Sequence, residues 1–299
     1  MVVRWFSPAS GKPAPGEFAC HLLKCILMES YILMESYIME SYIARFPIKA
    51  SLLALILCAA PHFLRAQAPP TVPDWALPGS STHRQVPPPA DFRRPSKNFE
   101  TAIGLFDGQS DIGSALVPGS ASYDAATKQY TINSAGYNIW YFRDEFRYLW
   151  KKMSGDVSLA ADVSFPDSQG YGDRKGVLVI RQSLEDDSKE AMAGQHGAGL
   201  IHLASRPEAR ANLSDAQHQF RPTPNTLRAK RIGIEKHGDQ ISLFLSWEGE
   251  PLHEVGTPVT VHFDEPFYVG IGFCSHLPDK SDTAVISNLV LENSAGKVR

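Results

Sequence analysis

The chain has 299 residues, with 29 Lys and Arg against 32 Asp and Glu and a formal net charge of −3. This balance offers no global basic field to attract nucleic acid or an anionic membrane surface. Hydrophobic residues make up 43% and charged residues 20%, as in ordinary soluble globular proteins. Of the four cysteines, Cys20, Cys25 and Cys58 lie early and only Cys274 lies in the C-terminal bulk, so neither a disulfide framework nor a thiolate zinc site can be built there.

Residues 1–38 read as an extension. Ile-Leu-Met-Glu-Ser-Tyr occurs at 26–31 and again at 32–37, followed by Ile-Met-Glu-Ser-Tyr at 38–42. So short a period does not make a solenoid. The stretch is either an amphipathic membrane segment or a duplication ahead of a true start at Met39. The second reading is preferred, because starting there leaves a secretory leader of ordinary length over 39–68. Arg45 and Lys49 precede an apolar core ending at Ala60, and Ala66-Gln67-Ala68 supplies an A-x-A cleavage site. The apolar run is about eleven residues, too short to span the hydrocarbon core of a bilayer as a helix. The expectation is export to the periplasm or beyond, with no stable membrane span. Residues 69–98, with Pro87-Pro88-Pro89 and Arg93-Arg94-Pro95, form a Pro-rich, extended linker.

The folded body is expected over 99–294, with a tail at 295–299. Its pattern has period two and is interrupted by Gly, Asp, Asn and Pro. Strands are expected at Gln129–Asn133, Phe146–Met153, Asp156–Phe165, Gly176–Leu184, Gly199–Ala204, Val259–Phe263, Pro266–Cys274 and Ala284–Glu292. The hairpin 228–247 is the clearest: Ile241, Leu243, Leu245 and Trp247 alternate with Ser242 and Ser246 around a turn at His237-Gly238-Asp239. Val-Leu-Val-Ile within 176–184 is apolar on both faces and belongs in the middle of a sheet. Leu184–Met192 has a hint of helix but is expected to be a loop. With no βαβ alternation, the fold class is all-β, a two-sheet antiparallel β-sandwich or jelly roll.

Several words in this body resemble a bacterial family. They are Asp111-Ile-Gly, Pro118-Gly-Ser-Ala-Ser-Tyr-Asp, Asn138-Ile-Trp, Trp150-Lys-Lys-Met-Ser-Gly-Asp, Arg174-Lys175-Gly-Val-Leu-Val-Ile-Arg-Gln-Ser, His196-Gly-Ala-Gly-Leu, and Pro266-Phe-Tyr-Val-Gly-Ile-Gly-Phe-Cys-Ser-His276. Together they resemble the concanavalin A-like lectin/glucanase superfamily, in its DUF1349-like form, over about 103–293. Many members are secreted and fused to TolB-like propellers; no propeller is expected after the last strand here. The resemblance implies a concanavalin A-like jelly roll with carbohydrate or other ligand binding on a concave sheet, and it implies no known reaction. One departure is Asp173, where the family pattern leads to a histidine ahead of Arg174-Lys175.

The familiar catalytic words are missing. Glucanases of this fold carry alternating carboxylates on one strand, and no Glu-x-Asp-x-(x)-Glu word occurs. Asp144-Glu145 and Glu185-Asp186-Asp187 are read as solvated turns. There is no nucleophile elbow, and Cys274 is read as a buried, inert thiol, with His276 at the strand end. The ten histidines form no metal word, so no metal or other cofactor is assigned, although loop carbonyls leave room for a structural Ca²⁺.

What remains is aromatic and polar. Flat rings meet the apolar faces of sugars, and planar polar groups meet their hydroxyls. Asn138, Trp140, Trp150, Arg181, Gln182 and His196 have that chemistry and are the candidate ligand-binding residues. Trp140 and Trp150 can equally be core residues, and Arg181 on a central strand is either ion-paired or open to a groove. The leading expectation is a non-catalytic module for a saccharide or similar polar ligand. The alternatives are a glycoside hydrolase or lyase with an atypical residue set, or a structural domain with an envelope protein partner.

Overall fold

The computed structural model describes residues 94–215, 218–221, 229–247 and 249–298. The extension, the leader and almost all of the linker read from the sequence lie outside these residues. In chain order the strands are β1 (Lys97–Phe99), β2 (Gly108–Ile112), β3 (Ser120–Asp124), β4 (Gln129–Ser134), β5 (Ile139–Trp140), β6 (Arg143–Asp144), β7 (Phe146–Met153), β8 (Val157–Ser164) and β9 (Lys175–Arg181). They continue with β10 (Glu190–His196), β11 (Ile201–Arg206), β12 (Gln219–Phe220), β13 (Arg231–His237), β14 (Gln240–Ser246), β15 (His253–Thr260), β16 (Phe267–Cys274) and β17 (Asp282–Glu292).

The fold is all-β, a two-sheet antiparallel sandwich. One sheet has eight strands in the order β1-β2-β7-β16-β9-β10-β11-β12, and the other has seven in the order β15-β14-β13-β8-β17-β4-β3. The main core lies between them. Leu149, Leu178, Ile180, Leu203, Ile271 and Phe273 of the first sheet meet Ile132, Leu159, Ile234, Leu243 and Ile286 of the second. All of these are essentially inaccessible to solvent. Each such side chain stabilises the fold by about 1.5–3 kcal/mol through burial.

The period-two pattern fixes which side of the first sheet each residue faces. On β9, Leu178 and Ile180 enter the main core, while Lys175, Val177, Val179 and Arg181 face outward. That outer face is not bare. Phe146, Tyr148, Trp150, Val177, Val179, Met192 and Ala204 form a second apolar layer, joined by Ile139 of β5 and by Leu213. Gly270 and Gly272 of β16 make room for it: they pair with Trp150 and Tyr148, and a Cβ at Gly272 would lie 2.6 Å from the Phe146 ring.

Three expectations change. Residues 190–196 are a fully buried strand, although Glu-Ala-Met-Ala-Gly-Gln-His lacks β-branched residues; pairing with β9 and β11 along its whole length overrides propensity. The strand expected at 259–263 runs instead over His253–Thr260, at a sheet edge where Pro258 removes no ladder hydrogen bond. And the last residues are pinned: the Gly296 and Lys297 amides donate to Glu235 Oε2 and Ser158 Oγ, and Val298 packs with Phe244 and Leu252.

Candidate functional site

At one end of the outer face lies a pocket of about 220 Å³. Its floor comes from sheet register. Lys175 sits between Cys274 and His196 on neighbouring strands, and Gly194 sits between Val177 and His202. Period two therefore places Lys175, His196 and His202 on the same side. A Cβ on Gly194 would lie 2.5 Å from His202 Nε2, so the absent side chain is what lets the imidazole lie across the strand. One wall is the hairpin β5–β6, which brings Asn138 and Trp140. Asp173, Asp215, Gln219, Arg221 and His276 complete the rim.

The polar contacts are specific. Lys175 Nζ donates to Asn138 Oδ1 at 2.8 Å and to the Ile139 carbonyl at 3.4 Å, and it stands 5.8 Å from the centre of the Trp140 ring. Asp215 Oδ2 lies 3.1 Å from His202 Nδ1 and accepts from Gln219 Nε2 at 2.8 Å. The Trp140 and His202 rings stack at 5.7 Å, and His196 meets His202 edge-on at 5.0 Å. Burial, reinforced by the Lys175 charge, pushes His196 down to about 3 despite Asp173 nearby. His202 is lowered by burial as well, with Asp215 opposing. Both imidazoles are therefore neutral at physiological pH. His276 has φ of 63° and stacks at 5.3 Å on Tyr171. Left-handed backbone on a residue with a Cβ costs about 1–3 kcal/mol, and here it aims that ring at the pocket rim.

The structure brings together three of the six sequence candidates: Asn138, Trp140 and His196 line the pocket. The other three stand elsewhere. Trp150 is buried in the outer layer, with its indole N–H on Ser110 Oγ at 2.9 Å. Gln182 clasps the backbone of Asp264, its Nε2 donating to the carbonyl and its Oε1 accepting from the amide. Arg181 is fully buried and ion-paired rather than open to a groove: its guanidinium donates to Asp144 Oδ2 at 2.8 Å and to Glu190. Arg206 holds the other side of Asp144 with two contacts at 2.8 Å.

This also corrects the reading of the acidic words as solvated turns, which holds only for the exposed Glu185. Asp144 and Glu145 are buried, and Asp186 and Asp187 are buried against Arg143 and Arg210. Each acid was adjacent in sequence to apparent turn residues, but its partner came from a distant segment. The network has a positioning role. Arg206 also donates to the Tyr141 carbonyl, at 3.0 Å, which fixes the hairpin presenting Asn138 and Trp140. Lys175, His202, Asp215, Gln219, Arg221 and His276 were not singled out from sequence as binding residues. The alternation on β9 contained a signal for Lys175, since a lysine in phase with Val177 and Val179 faces the same layer.

Cys274 is buried, its thiol pushed up to about 12 by that burial. No group of three or more His, Cys, Asp or Glu side chains among the described residues is placed to hold a metal ion. Among the same residues no helix is long and apolar enough to cross a membrane.

No family model matches the chain, and no curated protein matches it. Solved structures do. The chain is similar to a functionally unknown protein from Saccharomyces cerevisiae, at 13% identity over 59% of this chain and 93% of that one, with a TM-score of 0.45. It is similar to the carbohydrate-binding module CBM66 from Bacillus subtilis, at 17% identity over 58% of this chain and 92% of that one, with a TM-score of 0.39. It is also similar to a GH131 β-glucanase catalytic domain from Podospora anserina, at 11% identity over 68% and 87% of the two chains, with a TM-score of 0.36.

Proposed function

We propose that this chain is an exported, concanavalin A-like carbohydrate-binding module of the DUF1349-like type, and that its ligand occupies the pocket formed by Asn138, Trp140, Lys175, His196, His202 and Asp215. The observation that carries the reading is the composition of that pocket. One indole, half-buried on a hairpin, faces a cluster of planar polar groups whose own protein partners hold them in place. Such a combination binds a pyranose by stacking on its apolar face and hydrogen-bonding its hydroxyls. The secretory-leader pattern read in the sequence over 39–68 supports export.

A glycan array followed by calorimetry with the best hit tests this. Trp140→Ala should weaken binding at least about tenfold, the effect of losing apolar burial worth about 1.5–3 kcal/mol. Binding by no glycan, or equal binding by Trp140→Ala, would overturn it.

A second reading has one observation behind it. Asp215 fixes the His202 tautomer, the arrangement that prepares an imidazole for proton transfer. New reducing ends or unsaturated sugars released from a bound polysaccharide, and lost in His202→Gln, would favour cleavage over simple binding.

A further inference from the structure

The buried cations of this domain are treated unequally. Arg181 and Arg206 are fully buried, and both are matched by Asp144 and Glu190. Lys175 is 2% exposed, yet its ammonium touches only neutral acceptors, Asn138 Oδ1 and the Ile139 carbonyl. No carboxylate of the described residues lies within 4.0 Å of it. A buried ammonium without a counter-charge is costly, and this one forms the floor of an open pocket.

The neighbouring imidazoles also carry polar atoms without a partner. His202 Nε2, the acceptor nitrogen while Nδ1–H faces Asp215, and His196 Nε2 have no hydrogen-bond partner, although these residues are 2% and 7% exposed. The two pocket acids act on Lys175 only from a distance and form no ion pair with it. Asp215 is committed to His202 and Gln219. Asp173 stands at the mouth, 43% exposed, with its carboxylate 3.7 Å from His196. Arg221, at the rim, adds a second cation.

We propose that the pocket selects an anionic saccharide, one whose carboxylate or sulfate group supplies the counter-ion that the protein withholds from Lys175. This rests on the reading that a saccharide occupies the pocket. Trp140 stacks on the sugar ring, and Lys175, held upright by Asn138, reads the charge. A charge-assisted contact in a partly desolvated site is about twice as strong as a neutral one, so the anion is the feature that distinguishes ligands here. Burial lowers the Lys175 pKa, and a bound anion opposes that shift.

Calorimetry on the full chain with paired probes tests the proposal. One pair is tetragalacturonate and its methyl ester, the other sulfated and unsulfated dextran oligomers. The acidic member of at least one pair should bind at least about tenfold more tightly than its neutral partner, a difference of about 1.4 kcal/mol. The pair that shows this distinguishes carboxylate from sulfate. Lys175→Met should abolish the preference, and Lys175→Arg should retain part of it. Equal affinity for acidic and neutral members would overturn the charge reading and leave saccharide binding intact. Binding of neither member of either pair would overturn the anion reading for both chemistries, while a neutral hit on the glycan array would still uphold the pocket.

A ligand-free arm stands beside it. Without ligand, Lys175→Met should keep or raise the thermal midpoint, because it removes an uncompensated charge. A fall of several degrees in both Lys175→Met and Lys175→Gln would make Lys175 a structural cation and overturn the proposal.

Discussion

Asp144→Asn is the substitution that most directly tests how the outer face is held together. The carboxylate is fully buried and accepts three hydrogen bonds at 2.8 Å, one from Arg181 and two from Arg206. Both guanidiniums are inaccessible to solvent. Burial alone would raise the Asp144 pKa, but Arg206 and Arg181 overcome it and hold the group below the usual carboxylate range. Asparagine keeps the shape and removes the charge, leaving two buried cations facing Glu190 alone. Breaking a buried pair in this way costs about 3–5 kcal/mol. For a domain of this size each kcal/mol moves the thermal midpoint by about 2–4 °C, so the expected drop is about 6–20 °C. Thermal unfolding followed by circular dichroism measures it, with urea unfolding as a check on cooperativity. Since Arg206 also holds the Tyr141 carbonyl, ligand affinity should fall in the same variant. A drop smaller than about 3 °C would refute the reasoning, because it would mean that water or the remaining acid solvates the two guanidiniums without Asp144.

Two further outcomes follow from the same outer face. Glu190 is raised to about 7, by burial first, against the pull of Arg181 and with Asp144 adding to the rise. A carboxyl raised on folding holds its proton more tightly in the folded state, so its contribution is complete below its unfolded value and is lost as pH rises through about 7. The thermal midpoint of the wild type should therefore decline between about pH 5 and pH 8, and Glu190→Gln should flatten that decline; an unchanged slope would remove Glu190 from the account. Gly194→Ala would place a methyl 2.5 Å from His202 Nε2, forcing the imidazole off Asp215. Overpacking of this kind costs about 1–3 kcal/mol, and ligand affinity should fall with it, as measured by denaturant unfolding and calorimetry; a variant with wild-type affinity would show that the position of the His202 ring is not needed by the ligand.

The sandwich was legible because one physical rule, period-two alternation, survives translation from chain to sheet. Ile241, Leu243 and Leu245 all face the main core as their spacing requires, and Val177 to Ile180 occupies a central strand because it is apolar on both sides. Asn138, Trp140 and His196 could be picked out by chemistry, and they meet in one pocket. Arg181 and Trp150 had the same chemistry and do not join them. What separates the two sets is partners from far along the chain: Asp144 lies 37 residues from Arg181, and Ser110 lies 40 residues from Trp150.

Composition and alternation by themselves determined an all-β domain without a disulfide framework, and they determined which residues of each strand share a side. Which of those sides is roofed, and where the roof stops, was decided only by tertiary structure. The hairpin at 139–144 closes the outer face over Arg181 through Asp144, whereas beside Lys175 it forms the wall of a pocket. Alternation is a local property of successive residues, whereas a charge is matched or left unmatched by whatever the folded chain places beside it, and that is why Lys175 became visible as a candidate reader of the ligand only once its neighbours were known.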